Sequence, residues 1–174
     1  YRIGPRLIAL GHAASSSVEL VSVAVPHLKS LRDRTGQAVS LGLISADGIR
    51  ILHTLSGTMQ IEVGVRSGSL LGFHSSAQGK VALAAMSDAE REELIPDPIP
   101  PATDYTITNR ADFLEEIKTI ARQGWATAPN ETVLGLNALA SPVLNAEGEA
   151  IATVALVSLA QYIETPPSPE QVSA

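Results

Sequence analysis

Two hairpin signals restrict what this chain can fold into. Apolar runs over 38–45 and 49–55 are separated by Ala46-Asp47-Gly48. Runs over 138–144 and 150–156 are separated by Asn145-Ala146-Glu147-Gly148. Such turn residues adopt the backbone angles of tight reversals, so each pair predicts two antiparallel strands. The stretch between the hairpins has helical spacing instead. Ser75 or Ser76 caps a helix over about 77–86, and Ser87 caps a short acidic one after it. A third runs from Asn109 or Asp112 to Gln123, with Phe113, Leu114, Ile117, Ile120 and Ala121 on one face and Gly124 as its stop. Strand pairs joined by turns, with helices inserted as a block, predict an α+β fold: an antiparallel sheet flanked by helices.

The remaining segments extend this frame. The spacing predicts an amphipathic lead-in over 1–17 and a helix over about 18–35, with Pro26 as a kink or restart. A short strand is expected over 61–65 and another over 125–129. Pro96 to Pro101 cannot be regular helix and reads as a surface loop. The tail from Thr165 is linker-like, with no final helix expected after Pro169. At 174 residues and 45% hydrophobic the chain suits one domain with a real core.

Charge and composition exclude several functions. Twelve Lys+Arg against 18 Asp+Glu leave a net charge of −6, poor for gripping a phosphate backbone. Cysteine is absent, so disulfides, thiolate metal sites and cysteine nucleophiles are excluded. No apolar run approaches the ~20 residues of a membrane span, and no signal pattern opens the chain, so a cytoplasmic location is expected. His12, His27, His53 and His74 are widely spread and form no metal-binding spacing. No Gly-x-Ser-x-Gly elbow is present, so no catalytic residue and no cofactor is assigned.

One motif deserves a closer reading. Gly79-Lys80 suggests a phosphate loop, but His74 sits where its first glycine belongs and Val81 where its Ser or Thr belongs. What survives is a helix start whose backbone amides can hold a carboxylate, with Ser75 and Ser76 adding hydroxyls. An ordinary serine cap that binds nothing has the same sequence, and the residues alone favour it. Glu131, in a loop between strands, either ligates something polar or anchors the loop.

Taken together, Ala24-Val25-Pro26-His27-Leu28, His74 to Ala84, Thr103 with Thr106-Ile107, Gly124-Trp125-Ala126 and Glu131 through Pro142 resemble the effector-binding domain of the IclR family of bacterial transcription regulators. The resemblance covers about 1–157 and implies a GAF-like fold. It implies a linker helix over 1–16 toward a winged helix–turn–helix domain missing from this chain, an effector domain over 17–164 and a tail over 165–174. The opening Tyr1 is in keeping with a piece of a longer protein. The implied partners are a small-molecule effector, often an organic or aromatic carboxylic acid, and further copies in a homodimer or homotetramer. DNA would be met only through the missing domain, and no membrane is involved. The implied site is Ser75, Ser76, Ala77, Gln78, Ala128, Glu131, Ala138 and Leu139. Ala128 and Ala138 stand where some relatives place an acid and a cysteine, which implies a bulkier or more apolar ligand than a two- or three-carbon keto acid. A GAF-like sensor with a different output is the second reading. A small enzyme is the third, and it would need convergent polar groups that the sequence does not show.

Overall fold

The computed structural model describes residues 5–60 and 62–174, with side chains inside the first helix described from residue 18 onward. Helix α1 (Pro5–Thr35) runs through Pro26 without a break, where a separate lead-in and second helix were expected. Pro26 lies on the exposed side of the helix, so its ring displaces no packed neighbour. Gly36, at φ 70°, then ends the helix. The part of the expected linker over 1–4 lies outside the described residues.

Both hairpins form as expected. β1 (Ala38–Ser45) pairs with β2 (Gly48–Leu55), and β5 (Leu136–Leu144) with β6 (Ala150–Leu159). β1 also pairs antiparallel with β6, which joins the hairpins into one sheet. Two-residue strands close its edges: β3 (Leu70–Leu71) beside β2 and β4 (Ala126–Thr127) beside β5, in the order β3-β2-β1-β6-β5-β4. The short strand expected over 61–65 is not there. Residues 62–65 run as a loop, Ile61 lies outside the described residues, and the strand is Leu70–Leu71 instead. Val63 and Val65 alternate because both pack against the core, not because they pair in the sheet.

Strand alternation sends side chains to two cores. On one face, α2 (Ala77–Ala84) and α4 (Arg110–Gln123) pack Val81, Leu83, Phe113 and Ile117 over Ile49, Ile51, Ala140 and Ala155. On the other, Leu28 of α1 meets Val39, Leu41, Leu139 and Leu156. The acidic α3 (Asp88–Leu94) carries a complete capping box from Ser87 and Glu90. A five-residue α5 (Pro169–Ser173) corrects the linker-like tail. Ser168-Pro169-Glu170-Gln171 is itself a capping box with proline at the first helical position.

Candidate ligand-binding site

The start of α2 is seated closely against the turn before it, and Gly79 is the reason. A Cβ there would meet Gly72 O, and would sit 2.5 Å from Phe73 Cα and Phe73 O. Only glycine lets the turn before the helix pack against its first turn. Ser76 is the N-cap, with φ −110° and ψ 144°. Its hydroxyl accepts from the Gly79 amide at 3.0 Å and donates to the Gly72 carbonyl at 2.7 Å. The first intrahelical bond runs from the Lys80 amide to the Ser76 carbonyl at 2.9 Å. The amides of Ala77 and Gln78 precede it and have no partner within the helix. They carry the positive end of the helix dipole.

A cavity of about 80 Å³ opens at this helix start. Ser76, Ala77 and Gln78 form one end, and Ala128, Ala138, Asn137 and Val157 the sheet wall. Val65, Leu71 and Leu136 complete the sides, and Thr132 and Val133 reach over from the β4–β5 loop. The polar side chains in this wall are already committed. Gln78 Nε2 donates to Thr153 Oγ1 at 3.1 Å, and its Oε1 accepts from the Ser40 hydroxyl at 3.2 Å. Gly42 leaves room for that amide, since a Cβ there would sit 2.9 Å from Gln78 Nε2. Asn137 Oδ1 accepts from the Ala128 and Ala138 amides, and Nδ2 donates to the Ile163 carbonyl. The Thr132 hydroxyl donates to the Ser75 carbonyl at 2.6 Å. The cavity is therefore apolar with one polar end, the start of α2.

Five of the eight expected site residues line this cavity: Ser76, Ala77, Gln78, Ala128 and Ala138. Ser75 is buried at its margin and takes part through its carbonyl. Leu139 points the other way, into the α1-side core, because it alternates with Ala138 and Ala140 along β5. Glu131 does not line the cavity either. Its Oε1 accepts from Lys80 Nζ at 2.6 Å, and Lys80 also reaches Glu116 of α4 at 2.9 Å. The Lys80 side chain is fully buried. Burial pushes the Glu131 carboxyl above its ordinary range, against the pull of Lys80, while Glu116 adds to the upward push. The loop is held from outside as well. The Thr103 hydroxyl donates to the Asn130 carbonyl at 2.7 Å and the Thr106 hydroxyl to the Glu131 carbonyl at 2.8 Å.

Sequence reasoning missed Val65, Leu71, Thr132, Val133, Leu136, Asn137 and Val157. Val157 was within reach, since the register of the second hairpin places it opposite Ala138. Thr132 and Val133 adjoin Glu131 in a loop already singled out. Among the described residues no group of three or more His, Cys, Asp or Glu is placed to hold a metal. Among them, too, no helix is long and apolar enough to cross a membrane.

Comparison with known proteins agrees with this architecture. Residues 12–171 match the family described as bacterial transcriptional regulator IclR C-terminal. An uncharacterised HTH-type transcriptional regulator of Escherichia coli K12, RhmR, is 31% identical over 87% of this chain and 59% of its own length. The chain thus spans about three fifths of that relative. The crystal structure of the Thermotoga maritima IclR superposes with a TM-score of 0.82 at 25% identity, over 98% of this chain and 68% of that one. An IclR homologue from Microbacterium hydrocarbonoxydans, solved in complex with 4-hydroxybenzoate, gives a TM-score of 0.81 at 26% identity, over 95% of this chain and 68% of that one. The tightly seated helix start, the six-stranded sheet and the match over 12–171 lead to one conclusion: this chain belongs to the IclR family of bacterial transcriptional regulators and carries its GAF-like effector-binding domain.

Proposed function

We propose that the domain senses a small, largely apolar monocarboxylic acid held in the cavity at the start of α2. The carboxylate sits on the amides of Ala77 and Gln78, and the ligand body lies among Ala128, Ala138, Val65, Leu71 and Val157. The observation that carries this reading is the single polar end of an otherwise apolar cavity. An anion gains there from the helix dipole and the uncommitted amides, and no second charge has a partner. At about 80 Å³ the cavity is smaller than the ~150 Å³ that admits a benzene ring, so the β4–β5 loop over it must yield to admit a one-ring acid. The 4-hydroxybenzoate complex of the Microbacterium homologue supports that class. Ala128 and Ala138 keep the wall apolar, in keeping with a ligand larger than a short keto acid.

Ligand binding acts on a homodimer or homotetramer, and through it on DNA contacts made by a domain outside this chain. Such control requires that the ligand bind two assembly geometries with different affinity. A bacterial regulator of this kind works in the cytoplasm and needs no cofactor. Membership of a family of transcriptional regulators weighs against a different output and against an enzyme.

The test is melting temperature against a panel of aliphatic and aromatic carboxylic acids. A binder at about 100 times its dissociation constant adds ~2.7 kcal/mol. Ala77→Pro then locates the site. Proline suits the first helical position, and the extended Ser76 accepts a following proline, so the helix survives while one amide hydrogen is lost. Affinity should fall roughly tenfold, as expected for losing a hydrogen bond to a charged group. Unchanged affinity in the folded variant would overturn the assignment.

A further inference from the structure

The β4–β5 loop joins two roles within three residues. Thr132 and Val133 face the cavity, while Glu131 turns away from it and reaches the buried Lys80. The loop is a short closed unit. Asn130 donates its amide to the Leu136 carbonyl at 2.8 Å, and Asn130 Oδ1 accepts from the Gly135 amide at 2.7 Å. Asn130 and Gly135 both adopt positive φ, at 62° and 82°, which turns the chain sharply at both ends of the loop.

Three elements meet the Glu131 side of this unit. α2 presents Lys80, α4 presents Glu116, and the connection before α4 presents the Thr103 and Thr106 hydroxyls. His74, in the turn before α2, feels the Lys80 charge and lies against the Pro100 carbonyl. Two carboxylates thus share one buried ammonium. Glu131 Oε2 is buried with no hydrogen-bond partner among the described residues. Such an arrangement is costly with both acids ionised and improves when one holds a proton.

We propose that Glu131 is the positioning residue of a lid: closure of residues 130–135 over the cavity carries its carboxylate out of water to a buried place beside Lys80 and Glu116, which couples the lid to acid. The role in ligand capture rests on the reading of the cavity given above. Lid opening returns the carboxylate to water and its ordinary acidity, so the closed state binds the proton more tightly. Acid therefore favours the closed lid.

Hydrogen exchange on the ligand-free protein tests this directly. Opening is a local unravelling of the loop, so the amides of Asn130, Gly135 and Leu136, each bonded within it, report on it after correction for intrinsic exchange. Their protection should rise as pH falls from neutral toward the ordinary 4.5 of a free glutamate, by up to roughly tenfold for each unit separating the closed and open acidities. Glu131→Gln keeps an acceptor for Lys80 and should show flat, high protection. Glu115→Gln, at an exposed position on α4, should keep the wild-type slope. A flat wild-type profile, or the same slope in Glu131→Gln, would overturn the proposal. No ligand is present, so a slope seen beside a flat carboxylate panel would support the lid and count against the ligand reading alone.

Discussion

Gly79→Ala separates a packing requirement from a helix preference by the sign of its effect. Alanine in place of glycine inside a helix normally gains about 1 kcal/mol. Here the new Cβ would sit 2.5 Å from Phe73 Cα and Phe73 O and would also press on the Gly72 carbonyl. Ordinary contact begins at 3.4 Å, so the turn must withdraw by roughly an ångström. All three obstacles are backbone, and no rotamer change relieves them. The same turn supplies the Gly72 carbonyl that holds the Ser76 hydroxyl, so the cap loosens with it. Overpacking of this kind costs about 1–3 kcal/mol, more where only backbone can move. The net expectation is a loss of about 2 kcal/mol, a fall in melting temperature of roughly 4–8 °C for a domain of this size. Calorimetry with a urea titration as a second measure reads it. A variant as stable as wild type, or more stable, would refute the account of how α2 is seated.

Other positions make independent tests. Lys80→Met leaves Glu131 and Glu116 without their shared ammonium and should cost up to about 3–5 kcal/mol near neutral pH and less in acid, where Glu131 takes a proton, read from the urea midpoint. Adding Glu131→Gln to it should recover part of that loss, and strict additivity would show the two are not coupled. Burial holds the His74 imidazole below its ordinary 6.5, with the Lys80 charge pushing the same way and the Pro100 carbonyl opposing. The unfolded chain therefore takes the proton first as pH falls. Stability from this group is present above 6.5 and lost as pH drops through the folded value. His74→Gln should shrink that acid loss, and an unchanged pH profile of the urea midpoint would contradict it. Ala138→Leu should fill the cavity and abolish carboxylate binding while the melting temperature stays near wild type. Retained binding would place the ligand elsewhere.

Much of the frame was legible because it rests on local chemistry. Asp47-Gly48 and the Asn145–Gly148 turn marked both hairpins. Gly124 stops α4 at φ 80°, and Ser76, Ser87 and Asn109 cap the helices that follow them. What stayed hidden depends on distant partners. Pro26 looked like a break, and only its exposed placement lets α1 continue. Val63 and Val65 imitate a strand because a loop packed on the core also needs apolar residues at alternate positions. Leu139 entered the expected site through the family resemblance, although its alternation with Ala138 and Ala140 sends it to the other face. The tail helix was missed despite a readable signal, the Ser168 capping box. Glu131 was left between ligand contact and anchor. Its partner Lys80 lies 51 positions away, and no local pattern links them.

The central claim is that a carboxylate rests on the start of α2. The most direct measurement is the amide nitrogen–proton NMR spectrum during titration with 4-hydroxybenzoate and its uncharged amide analogue. Large, saturable shifts are expected at Ala77 and Gln78 with the acid, smaller ones at Ala128 and Ala138, and much weaker binding of the amide. Saturable binding that leaves Ala77 and Gln78 unmoved, or equal affinity for the uncharged analogue, would contradict it.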